Sequence, residues 1–152
     1  MSVQTIVLAA DRGNEDLADR LAATAADIAD PSDTEIVLAH VFDEEEYETA
    51  RSRLNFTDDS EVTPSTIAQR KAAVRTLGDA LADTDIDVTA YGRLRNGASR
   101  GQRLVELADE VDADMVVLGG RNRSPAGKAL FGSTAQEVML GSSCPVTFVR
   151  AA

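Results

Sequence analysis

Val116-Val117-Leu118-Gly119-Gly120-Arg121-Asn122-Arg123-Ser124, with Gly132-Ser133-Thr134 beginning ten residues past Asn122, decides the reading of this chain. The apolar run is short enough for a strand buried on both faces, and it empties into glycines and basic residues. The chain then restarts as a helix at Gly-Ser-Thr. Such a strand, loop and helix bring backbone N–H groups, hydroxyls and positive charge to one place, which is what a phosphate needs. The charge pattern agrees. The chain has 26 acidic residues in 152, so a window from Met115 to Gln136 should hold roughly four by proportion. It holds none, and it carries Arg121, Arg123 and Lys128. A protein of formal net charge -11 therefore has one locally cationic loop at the end of a strand.

Upstream, the same alternation of short apolar runs and helical stripes repeats. Thr5-Ile6-Val7-Leu8-Ala9-Ala10 and Glu35-Ile36-Val37-Leu38-Ala39-His40-Val41 read as buried strands. Leu17, Leu21, Ala25 and Ile28 form a helical stripe between them, stopped by Asp30-Pro31-Ser32-Asp33. From Phe42 to about Val62 the apolar pattern is lost, and the acidic stretch predicts a mobile surface insertion. Thr63-Pro64 has the form of an N-cap followed by proline, so one helix is expected from there to about Ala82, with Ile67, Ala68, Val74 and Leu77 inward. Ile86, Val88 and Ala90 alternate with polar residues as in an edge strand. Asn96-Gly97 turns the chain, and Leu104, Leu107, Ala108 and Val111 mark a third helix. A fourth helix starts near Ser133, where Ser133 with Gln136, or Thr134 with Glu137, has capping-box spacing. Val146 to Val149 is a terminal strand. The order βαβαβαβαβ predicts an α/β fold: one open, mostly parallel five-stranded sheet, Rossmann-like, with helices on both faces. Its ligand belongs beyond the carboxyl ends of the strands.

Bulk properties narrow the classes. One domain spanning residues 1–152 is expected from length alone. With 4% aromatics and no Trp, the core must be Val, Leu, Ile and Ala. One cysteine, Cys144, forms no internal disulfide and reads as a small buried hydrophobe. No run resembles a signal peptide or a membrane span, which points to the cytoplasm. The acidity argues against nucleic acid as a partner. Thirteen Arg and two Lys against 26 acids is the balance expected of a halophilic protein, soluble in concentrated salt.

These residues resemble the universal stress protein family, whose adenine nucleotide alpha hydrolase-like domains usually act as dimers. The family motif is Gly, two residues, Gly, nine residues, Gly-Ser/Thr. Here it stands as Gly119, two residues, Asn122, nine residues, Gly132-Ser133. Ile6-Val7-Leu8 leading to Asp11, His40-Val41, Asp114 to Gly119, and Cys144-Pro145-Val146 also match. The departure is Asn122 at the second glycine, and Asn is the residue that best tolerates left-handed backbone angles in its place.

The resemblance implies that Gly119, Asn122 and Gly132 shape the loop around a triphosphate, with Ser133 and Thr134 donating to phosphate. It sets Asp11 near the ribose or a bound magnesium, and Ala9 and Val41 against the nucleoside. Arg121, Arg123 and Lys128 join that set on charge, since an acidic protein must offset the charge of ATP locally. Asp11 reads equally as a helix cap, His40 as a packed or hydrogen-bonded residue, and the acids from Asp43 to Glu46 as a solvated loop. No residue set supplies a nucleophile with a base and an orienter, so at most slow ATP hydrolysis is expected. The expected function is a dimeric, ATP- or AMP-binding stress regulator paired through its last strand. The alternative is a dimeric interaction protein of the same fold that binds no nucleotide.

Overall fold

The computed structural model describes residues 3–10, 15–53, 62–120 and 132–150. Five strands, β1 (Thr5–Ala9), β2 (Glu35–Phe42), β3 (Asp87–Leu94), β4 (Met115–Gly120) and β5 (Val146–Arg150), form one sheet of order β3-β2-β1-β4-β5. Every pairing is parallel. The continuous apolar runs follow from this: parallel strands are covered on both faces, so neighbouring residues must both be apolar. Ile6, Leu8, Ile36, Leu38 and Val117 face one layer, while Val7, Val37, Val116 and Leu118 face the other. The first layer holds α1 (Glu15–Ile28) and α4 (Ala72–Leu81), and the second α5 (Arg100–Glu110) and α6 (Ser133–Gly141). β3 is an edge strand as its alternation predicts, with Val88 exposed. Asn96 and Gly97 turn the chain at positive φ, 50° and 83°.

Three expectations are corrected. The stretch after β2 is not wholly irregular, because Glu44–Arg53 forms a helix, α2. Asp43 caps it, the Glu46 N–H donating to Asp43 Oδ1 at 2.7 Å, and three glutamates in its first turn favour the helix dipole. Tyr47 and Ala50 anchor it against Phe42 and Ile67. The expected helix from residue 64 to 82 is two helices, α3 (Pro64–Ala68) and α4, broken at Gln69 to Lys71. Ile67 and Ala68 bury against Phe42 and Tyr47, whereas Val74, Leu77 and Leu81 bury in the main layer. A single straight helix cannot reach both clusters. Thr63 caps α3 as expected, accepting from the Thr66 N–H at 3.2 Å. The third correction is at α6, whose N-cap is Gly132 without a side-chain cap. Ser133 and Thr134 are already inside the helix, and the Glu137 carboxylate accepts from Ser99 Oγ instead.

Candidate functional site

The carboxyl ends of β1, β2 and β4 open into a cleft of about 930 Å³ between the two helical layers, a volume suited to a small-molecule ligand. Six of the residues singled out from sequence line it: Ala9, Val41, Gly119, Gly132, Ser133 and Thr134. Asp11, Arg121, Asn122, Arg123 and Lys128 lie outside the described residues.

Each of the six is positioned by a local cause. Gly119 is the next-to-last residue of β4, where α1 and β5 close on it: a Cβ there would lie 2.9 Å from both Leu17 Cδ1 and the Val149 carbonyl oxygen. Gly132, Ser133 and Thr134 start α6, and with no side-chain cap the first-turn N–H groups keep their partial positive charge directed at the cleft. No acidic residue occupies that turn. At the other end, Ala9 pairs with Ala39 and the Ala10 N–H donates to the Ala39 carbonyl at 2.8 Å. Residues two apart on a parallel strand direct their backbone groups to the same side. The N–H and C=O of Val41 therefore point to the side on which β1 has just ended.

Beyond Val41 stands an ionic cluster that sequence reading missed. His40, buried at the end of β2, is hydrogen-bonded through Nδ1 to the Ala10 carbonyl at 2.9 Å and through Nε2 to Glu46 Oε2 at 2.9 Å. A carbonyl only accepts, so Nδ1 carries a proton. Glu46 also meets Lys71 Nζ at 3.3 Å and Arg100 Nη2 at 3.5 Å, and Arg100 reaches Asp43 Oδ2 at 3.4 Å. Burial pushes the Glu46 carboxyl up, but the hydrogen bonds and charges of His40 and Lys71 outweigh it and hold it below the usual carboxylate range. Of the acids from Asp43 to Glu46, Glu44 and Glu45 are exposed as expected, but the run is no loop: Asp43 caps α2 and Glu46 is buried in it. Asp43 three residues before Glu46 has the spacing of an N-cap signal, and that was the available clue. Cys144 is half-buried, its Sγ 3.4 Å from Ser142 Oγ.

Comparison with known proteins agrees with the fold. The profile described as "Universal stress protein family" matches residues 2–150. A universal stress protein of Mycolicibacterium smegmatis is 39% identical over 54 residues, which are 36% of this chain and 42% of that protein. The matched stretch spans less than half the length of that curated relative. The structure of a universal stress protein from Archaeoglobus fulgidus superposes with a TM-score of 0.64 at 28% identity, covering 95% of this chain and 97% of that one. A universal stress protein from the same organism, solved in complex with dAMP, shares the fold with a TM-score of 0.55 at 22% identity, covering 97% and 98% of the two chains. With the motif, the sheet order and a match over nearly its whole length in agreement, the chain belongs to the universal stress protein family.

Proposed function

We propose that this cleft holds ATP with magnesium, and that the protein is a stress-response regulator whose occupancy is read through a homodimer. The observation that carries the reading is the start of α6, which no side chain caps among the described residues and where Gly132, Ser133 and Thr134 face the cleft with no acidic residue in the turn. Helix starts of this kind stabilise phosphate through backbone donors and the helix dipole. At the opposite end, the Val41 N–H and C=O offer one donor and one acceptor side by side. Adenine presents a ring-nitrogen acceptor next to its amino donor and so complements them. The dAMP complex of a fold neighbour supports a nucleotide of this class.

In this reading Ser133 and Thr134 donate to phosphate, Gly119 and Asn122 shape the loop, and Arg121, Arg123 and Lys128 offset the ligand's charge. Asp11 contributes to magnesium or the ribose. Magnesium itself neutralises phosphate oxygens. The test is a calorimetric titration of nucleotide-free protein with magnesium ATP in concentrated KCl. Saturable binding is expected, weakened about tenfold or more in Arg121→Ala with Arg123→Ala. Absence of binding in folded protein overturns the reading and leaves the dimeric interaction protein, which the side chain of Asn122 at a motif glycine favours.

The dimer has its own support. β5 is last in the sheet order, and no strand pairs its outer edge among the described residues. Leu140 on the neighbouring α6 is 81% exposed. An unpaired edge invites a symmetric partner, and an exposed leucine on a helix that packs against β5 adds apolar surface to that end of the sheet.

A further inference from the structure

We propose that Ser99, Gly101 and Glu137 are the positioning residues for the phosphate end of the cleft: they hold the first turn of α6 from the side and leave its amides free for the ligand. The proposal rests on the nucleotide reading and adds to it what fixes the geometry of that end.

A helix start is commonly fixed by a side chain that bonds its first N–H groups. No such side chain caps α6 among the described residues, its N-cap being Gly132. A cap would also occupy donors that a phosphate needs. The turn is located instead by α5. Gly101 is buried in the first turn of α5, and a Cβ there would lie 2.5 Å from Glu137 Cβ and 3.2 Å from the Thr134 carbonyl oxygen. Glycine is a poor helix former, and this approach is what requires it. Thr134, which lies against Gly101, also lines the cleft. One turn further on, Gly141 of α6 faces Val105 of α5, where a Cβ would meet Val105 Cγ2 at 3.5 Å. Two contacts a turn apart set the register of α6 along α5. Ser99 Oγ then donates to Glu137 Oε2 and closes the contact.

The anchor is itself fixed. Ser99 and Gln102 form a reciprocal capping box at the start of α5. Arg103 Nε donates to the Leu94 carbonyl at 2.8 Å, at the end of β3. Arg100 Nη2 meets Asp43 Oδ2 at 3.4 Å and Glu46 Oε1 at 3.5 Å, beyond the end of β2. α5 is thus tied to two strand ends, and α6 is tied to α5. A binding geometry has to be held within about 0.5 Å, so a shift of the α6 turn that leaves the fold intact still weakens its hold on phosphate.

The experiment titrates the isotope-labelled full chain with AMP and with adenosine in KCl, followed by backbone amide NMR, in wild type, Gly101→Ala, Glu137→Ala and Glu137→Gln. In wild type, AMP is expected to shift the Ser133 and Thr134 amides. Gly101→Ala must move α6 off α5, and its AMP affinity is expected to fall about tenfold, while adenosine, which has no phosphate, binds as it does to wild type. Glu137→Ala breaks the bond from Ser99 and should weaken AMP in the same sense, whereas Glu137→Gln keeps an acceptor for Ser99 and should bind AMP more tightly. Both remove the charge, so the difference between them reports the hydrogen bond. The amide spectrum reports whether each variant folds, and the two Glu137 variants decide alone should Gly101→Ala not fold. Unchanged AMP affinity in folded Gly101→Ala, equal losses for AMP and adenosine, or equal AMP affinity in the two Glu137 variants overturns the proposal and leaves the nucleotide reading standing. Wild type that does not bind AMP, or binds it without moving the Ser133 and Thr134 amides, overturns the nucleotide reading and this proposal with it.

Discussion

Glu46 joins the end of β2 to the starts of α4 and α5 through His40, Lys71 and Arg100. Removing its charge takes the carboxylate partner from His40 and Lys71, while Arg100 keeps Asp43, and breaking a buried pair of this kind costs about 3 kcal/mol. Glu46→Gln is expected to lower unfolding stability by that amount at pH 7, read from urea titrations. The pH dependence has a definite sign. The folded carboxyl lies below its usual value of 4.5, so its contribution is fully present above that value and is lost as pH falls through the lower folded one. The gap between wild type and Glu46→Gln should therefore close below pH 4.5. A gap that stays constant into strong acid would show that Glu46 acts through packing rather than charge. Gly92 is a second sensitive residue. A Cβ there would sit 2.2 Å from the Pro64 carbonyl oxygen, so Gly92→Ala must push α3 away from β3. Overpacking of this kind costs about 1–3 kcal/mol, and a melting temperature unchanged in Gly92→Ala would contradict the close approach.

At the scale of elements, α2 depends on its cap and its tertiary contacts more than on its own pattern. Its inward residues are few, with Tyr47 edge-on to Phe42 at a centroid distance of 5.4 Å. Asp43→Ala removes the cap at a cost of about 1 kcal/mol. Amide exchange should then accelerate in α2 while the β1 and β4 amides keep their protection; uniform acceleration would mean that α2 opens only with the whole domain. The same dependence explains why α2 was not legible in the sequence. Ile6 to Leu8, Ile36 to Val41 and Val116 to Leu118 announce themselves as strands because burial on both faces leaves a continuous apolar run. Leu17, Leu21, Ala25 and Ile28 announce α1 because one face meets the core. Glu44 to Arg53 has no such stripe. The break between α3 and α4 was hidden for a related reason, since both halves have inward residues but bury them in different clusters. The site divides in the same way. The glycines and hydroxyls from Gly119 to Thr134 are close in sequence and could be read there, whereas His40, Glu46, Lys71 and Arg100 converge only through the order of the strands.

The whole molecule carries a formal net charge of -11 and a sequence isoelectric point near 4.4. We propose that this is an adaptation to concentrated salt. Acidic side chains in excess repel one another more in the folded state than in the expanded chain, so compaction at low ionic strength works against that repulsion. Screening reduces it: the Debye length falls from about 10 Å at 0.1 M to about 3 Å at 1 M salt. The internal ion pairs respond differently, because Glu46 is buried and salt screens buried pairs much less than exposed ones. Raising KCl should therefore remove surface repulsion while leaving the cluster at the end of β2 largely intact. Thermal unfolding of wild type across KCl concentrations is expected to show a melting temperature that rises toward molar salt. Glu46→Gln should show the same rise from a lower start, since the two effects act on different charges. Stability that is flat or falls with KCl would remove the salt-adaptation reading. A rise lost in Glu46→Gln would move its origin from the surface to the buried cluster. Dimerisation is separable in the same scan. Leu140→Glu adds charge at an exposed position beside β5, and it should halve the mass by light scattering if that edge is the interface. An unchanged mass would place any dimer elsewhere.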